Sequence, residues 1–162
     1  MDREIVSIYN SDEWRRLVEL ACDCVEPSLE FVPEGEDRPK QAIIAARRLA
    51  RGEDISPAQV RAASAAAKDY GISSSYTDAT YVAFAASAAA NAAALAAEAY
   101  YAVNDVVAYI ADAYASSAYD SAYEDYPSDD YAAALAIDAR AQKLHELANL
   151  IRSQSQEGTS FF

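Results

Sequence analysis

The chain has 162 residues, a formal net charge of −13 and 52% hydrophobic residues, many of them alanine. This length fits one domain with room for a real core. The scarcity of Lys and Arg argues against direct binding to nucleic acid, whose phosphates need cations. Glycine is scarce and β-branched residues thin out after Val82, so the expected fold is all-α, a compact Ala-rich bundle of about five to six helices.

The opening MDREIVSIYN carries early charges and no apolar run, so no signal peptide is expected there. Ser11 reads as a helix cap, with Asp12 and Glu13 in the first turn to meet the helix dipole. Trp14, Leu17, Val18, Ala21 and Val25 then repeat at helical spacing, and Trp14 is expected in the core rather than stacked on a ligand. Cys22 and Cys24 are the only cysteines. Two residues apart on a helix they cannot join, which points to a reduced, cytoplasmic setting.

Pro27 ends the first helix, and the Pro- and Gly-containing stretch to Asp37 reads as a loop. Asp37 is placed to cap the second helix, with Pro39 in its first turn. Ile43, Ile44, Ala46 and Leu49 supply its apolar contacts. Arg47, Arg48 and Arg51 gather near its C-terminal end, where the dipole favours cations, and Gly52 closes it. Ser56-Pro57 starts a third helix, predicted to run to about Tyr70 with Gly71 as its stop.

Ile72 to Tyr76 reads as a linker, and Thr77 or Asp78 as the cap of an Ala-rich helix. Ala79 to Ala97 holds no charged residue, but alanine with Tyr81, Ser87 and Asn91 fits a buried bundle helix better than a membrane span. Continued to Tyr126 this helix would be unusually long, so a break is predicted, with Asn104-Asp105 as the cap of its second part. Ser128 caps the last helix, Asp129 and Asp130 fill its first turn, and Leu144, Leu147 and Ile151 are its core positions. Residues 1–152 are thus expected to form one helical domain, followed by a flexible C-terminal tail, 153–162, ending in Phe161-Phe162.

From Asp69 to Ala139 there is no Lys or Arg, while the stretch holds eleven Asp or Glu and every Tyr of the chain except Tyr9. On a helical wheel Glu98, Tyr101, Asp105, Tyr109, Asp112, Ser116, Tyr119 and Tyr123 fall within about 40° of one line. Val103, Val107, Ile110, Tyr114 and Ala118 lie opposite and read as the core face. The first stripe would extend over roughly 38 Å in an unbroken helix. A row of like charges gains nothing from pairing along the helix and is tolerated where water screens it, so the stripe is expected to face solvent or a basic partner.

The segment Asp37-Arg-Pro-Lys-Gln-Ala-Ile-Ile-Ala-Ala-Arg-Arg-Leu-Ala-Arg-Gly52, preceded by Cys24-Val-Glu-Pro and followed by Ala-rich helices, resembles the immunity proteins of bacterial polymorphic toxin systems. The likeness runs mainly over Cys22 to Lys68. Those proteins carry His in their Ala-rich helices, whereas the single His here is His145. The resemblance implies a small all-helical protein that binds and neutralises a toxin, and it supplies no catalytic residues.

No GxSxG, phosphate-cradling Gly loop or HExxH occurs, and neither His145 nor the Cys22–Cys24 pair has the neighbours a metal site needs. No cofactor, metal or catalytic role is therefore expected. The anticipated partner is a basic protein (a toxin, a nuclease or a defence effector), reached by electrostatic steering. The expected contact residues are Asp105, Tyr109, Asp112, Tyr119, Asp120, Tyr123, Glu124, Asp125, Asp129 and Asp130. Two alternatives stay open: a phage anti-CRISPR or anti-restriction protein whose carboxylates imitate DNA phosphates, and a structural helical homo-oligomer.

Overall fold

Helices in the described residues, 12–159 of a computed structural model, follow the apolar spacing of the chain. They are α1 (Asp12–Val25), α2 (Arg38–Ala50), α3 (Pro57–Ser73), α4 (Thr77–Ala94), α5 (Ala99–Asp125) and α6 (Asp129–Thr159). Short 3₁₀ turns cover Glu26–Phe31 and Ala96–Glu98. There is no strand among the described residues, and the six helices pack as the expected all-α bundle. Ser11 and Phe161-Phe162 lie outside the described residues.

The bundle is built around α4, which touches α1, α2, α3 and α5. Its Ala79, Ala83, Ala86, Ala90 and Ala93 are fully buried, as are Ala85, Ala89, Ala92 and Ala94 on its other sides. A helix that is small and apolar nearly all round lets several neighbours approach closely. Among the described residues no helix is long and apolar enough to cross a membrane. The larger side chains come from the partners: Trp14, Val18 and Val25 from α1, Ile43 from α2, Val60 from α3, Val106 and Ile110 from α5. Trp14 thus belongs to the core, as its spacing in α1 suggested.

Several boundaries differ from the sequence-based expectation, and others match it. Asp37 makes no side-chain cap; instead the Glu36 carboxylate accepts from the Arg38 backbone N–H at 3.0 Å and from its guanidinium. The stretch after Pro27 begins as a 3₁₀ turn rather than an irregular loop. Ser56 caps α3, as Ser56-Pro57 promised, and Gln59 completes a reciprocal capping box with it. Gly52, at φ +72, closes α2 in the left-handed region. Gly71, by contrast, does not stop α3, which runs on to Ser73. A Cβ there would come within 2.8 Å of the Phe84 ring, so the glycine serves the approach of α3 to α4. Neither Thr77 nor Asp78 caps α4, whose N-cap is Tyr76.

The largest difference is the break after α4. It falls at Leu95–Glu98, not at Asn104-Asp105, which lie inside α5. The Trp14 indole N–H donates to the Ala92 carbonyl at 3.0 Å. In an uninterrupted helix that carbonyl would accept from residue 96, so a side chain 78 positions away takes over a bond that the break leaves unmade. At the other end, α6 extends through the first seven residues of the stretch read as a tail, to Thr159. Gln154 there donates to Asp23 of α1 at 3.0 Å.

Candidate functional site

Because the break precedes α5, Tyr101 through Tyr123 share one helix and the acid-and-phenol stripe keeps its register. The core face is also where expected at Val103 and Ile110, which are buried, with Val107, Tyr114 and Ala118 half-buried. Tyr114 packs in a T-shape with Phe31, ring centroids 4.9 Å apart, and has the Lys143 ammonium 3.8 Å from its centroid.

The stripe divides into three parts. Asp105 is exposed and Tyr109 half-buried, the latter against Phe84 with ring centroids 5.7 Å apart. Asp112 departs from the expectation of a carboxylate without a cation nearby: Arg140 of α6 reaches across and bonds it at 2.9 Å. The run has no cation of its own before Arg140, but the antiparallel return of α6 brings that arginine back beside it. Tyr119 is likewise engaged, donating its hydroxyl to Asp129 at 2.8 Å across the hairpin. That bond raises the Tyr119 pKa above its ordinary 10.0.

The third part is the end of the α5–α6 hairpin. Beyond Tyr119 the only buried residue of α5 is Ala122. Asp120, Glu124, Asp125, Asp129 and Asp130 are all exposed there, together with Tyr123, Tyr126 and Tyr131. The rings pair among themselves: Tyr119 and Tyr123 lie near-parallel with centroids 6.1 Å apart, and Tyr126 meets Tyr131 edge-on at 5.9 Å. Pro127 ends α5, Ser128 N–H returns to the Tyr126 carbonyl at 2.7 Å, and Ser128 Oγ sits 3.4 Å from the Tyr131 N–H. None of these five carboxylates has a salt bridge among the described residues.

Helix dipoles sort these acids into two kinds. Asp129 and Asp130 occupy the first turn of α6, where negative charge is favoured. Glu124 and Asp125 end α5, which has no basic residue in its last turn, so the dipole opposes them. Each costs about 0.3–1 kcal/mol at an exposed terminus. Compared with known protein families, curated proteins and solved structures, the chain gives no match.

Away from the hairpin end, charges and thiols are occupied in holding the fold. Arg47 contacts Glu19, Asp23 and Glu26 at 3.2, 2.7 and 2.7 Å, and Arg51 contacts Glu19 at 2.7 Å. The basic cluster of α2 thus ties that helix to α1, a use that dipole arguments do not reveal. Cys22 and Cys24 are both buried and unjoined. Burial pushes the Cys22 thiol up to about 12 and that of Cys24 to about 11, far from the thiolate that chemistry needs. His145 is exposed on α6, and no group of three metal-ligating side chains occurs among the described residues.

Proposed function

We propose that this protein is a non-enzymatic, immunity-type inhibitor that docks the acidic, tyrosine-bearing end of its α5–α6 hairpin onto a basic partner protein, such as a toxin or a nucleic-acid-acting enzyme. The observation that carries this reading is the placement of Glu124 and Asp125. They are exposed, they have no salt-bridge partner among the described residues, and they sit at a helix end that disfavours them. Solubility alone would be served by acids at any surface position. Acids kept where they cost folding energy fit a surface shaped for another molecule's cations.

The exposed phenols support a protein as that molecule. Tyr126 is 65% exposed and Tyr131 49%, and rigid aromatic rings ringed by charge are the side chains that anchor protein interfaces. A pure imitation of DNA would rest on carboxylates and have less use for these rings. The direct test takes candidate basic proteins, beginning with the products of any neighbouring genes, and measures their binding and their inhibition. Glu124→Lys with Asp125→Lys should abolish both while the protein stays folded. Binding that survives the reversal unchanged rules out the hairpin end as the interface. Displacement by duplex DNA, with affinity falling steeply between about 50 and about 300 mM salt, would favour the DNA-imitating alternative.

A further inference from the structure

The break between α4 and α5 opens a cleft of about 530 Å³ whose lining includes Lys68 of α3, Phe84 and Asn91 of α4, and Tyr101, Asp105 and Tyr109 of α5. Its chemistry is uneven in a useful way. Phe84 and Tyr109 form a half-buried aromatic wall, while Tyr101 is 69% exposed at the mouth. Asp105 is exposed and has no salt bridge or hydrogen bond among the described residues. It is the one charged group that α4 and α5 bring to the cleft.

The floor is fixed rather than fluid. Ser64 and Ser87 are buried and share a 2.8 Å hydroxyl–hydroxyl bond. Ser64 also donates to Asn91 Oδ1 at 2.8 Å. With its oxygen held, the Asn91 amide presents its nitrogen as a donor, and Lys68 from α3 supplies a second donor at the rim.

We infer that this cleft is a socket for an arginine side chain of the partner, with Asp105 taking the guanidinium and the rings of Tyr101 and Tyr109 flanking it. The assignment rests on the partner-binding reading above and adds a specific residue to it. Carboxylate with aromatic faces suits a planar guanidinium, which forms bidentate bonds and stacks, better than a compact, strongly hydrated ammonium. Asn91 and Lys68, both donors, suit the carbonyl oxygens of the peptide that carries the arginine. The cleft is lined along the same α5 stripe that leads to the acidic hairpin end, so one basic partner can reach both.

The test uses the full chain and a small defined probe, Nα-acetyl-arginine-N-methylamide, followed by amide chemical shifts, with the corresponding lysine derivative as comparison. Shifts should gather at Phe84, Asn91, Tyr101, Asp105 and Tyr109, and the lysine probe should bind several-fold more weakly. Asp105→Asn, which is isosteric at an exposed position, should weaken the arginine probe about tenfold. Tyr109→Leu should weaken it as well, with circular dichroism unchanged as the check on folding. Shifts confined to Tyr119–Tyr131, equal binding of both probes, or no shift at all would overturn the socket. Those outcomes leave the hairpin-end reading to its own charge-reversal test. Conversely, a saturable cleft combined with undiminished partner binding by the Glu124→Lys, Asp125→Lys protein removes the hairpin end and keeps the socket.

Discussion

Two acidic regions of this molecule contain the same side chains and use them in opposite ways. At the α1–α2 junction Glu19, Asp23 and Glu26 converge on Arg47, whose side chain is only 16% exposed. At the α5–α6 hairpin end five exposed carboxylates have no salt-bridge partner among the described residues. In the first region the fold supplies the counter-ion, so charge fastens one helix to another. In the second the described residues supply none, and the charge stays available. Between the two lies Asp112, a stripe residue that Arg140 partly neutralises from α6. A carboxylate's role is thus decided by which cation the chain's return path brings near it.

The comparison breaks most visibly if charge is forced where neither region places it. Ile110 is 1% exposed in the core beneath the stripe. Ile110→Asp should cost several kcal/mol, on the order of the whole folding margin, because a buried carboxylate would have no partner. Loss of the cooperative thermal transition is the readout. Asp105→Asn, on the opposite side of the same helix, should leave that transition in place.

Next in size is the fastening region. Arg47→Ala leaves three carboxylates facing one another at the α1–α2 contact and should cost about 2 kcal/mol, less than a fully buried pair because Glu26 is 58% exposed. Denaturant unfolding measures it, and rising salt should narrow the gap between the variant and the parent. A loss below about 0.5 kcal/mol would place Arg47 among ordinary surface ion pairs.

The buried thiols give a pH-dependent prediction in the same half of the molecule. Cys22 and Cys24 ionise near 9.0 when unfolded and near 12 and 11 when folded. Their pKa values are raised by folding, so the associated stability is fully present below pH 9 and is lost as the pH rises from there through the folded values. At pH 10 the loss should be about 1.4 kcal/mol for each thiol. The thermal midpoint should therefore fall between about pH 8 and about pH 10, and fall less in a Cys22→Ala, Cys24→Ala protein.

Much of this fold was legible because helix periods and stops are local. The α1 core positions, the Ser56 cap, the Gly52 closure and the two faces of α5 all follow from spacing within a few residues. What stayed hidden depends on distant partners. The break at Leu95 answers to Trp14, Gly71 answers to Phe84, and Asp112 answers to Arg140. Of the site residues expected from sequence, Asp105, Asp120, Tyr123, Glu124, Asp125, Asp129 and Asp130 are exposed, while Tyr109, Asp112 and Tyr119 are half-buried and held by neighbours within the fold. Long-range pairing leaves no trace in a local period. The acids at the end of α5 were legible as an exposed acidic group, but their opposition to the helix dipole depends on where α5 stops, and the structure alone sets that.

The smallest effect on stability carries the most weight. Replacing Glu124 and Asp125 by Lys removes two charges that the α5 dipole opposes and adds two that it favours. Stability and partner affinity should be measured on the same double variant. The account predicts that the protein becomes more stable than the parent, by about 1 kcal/mol or more, while binding to the basic partner disappears. A variant that is folded and binds the partner as tightly as before would contradict it.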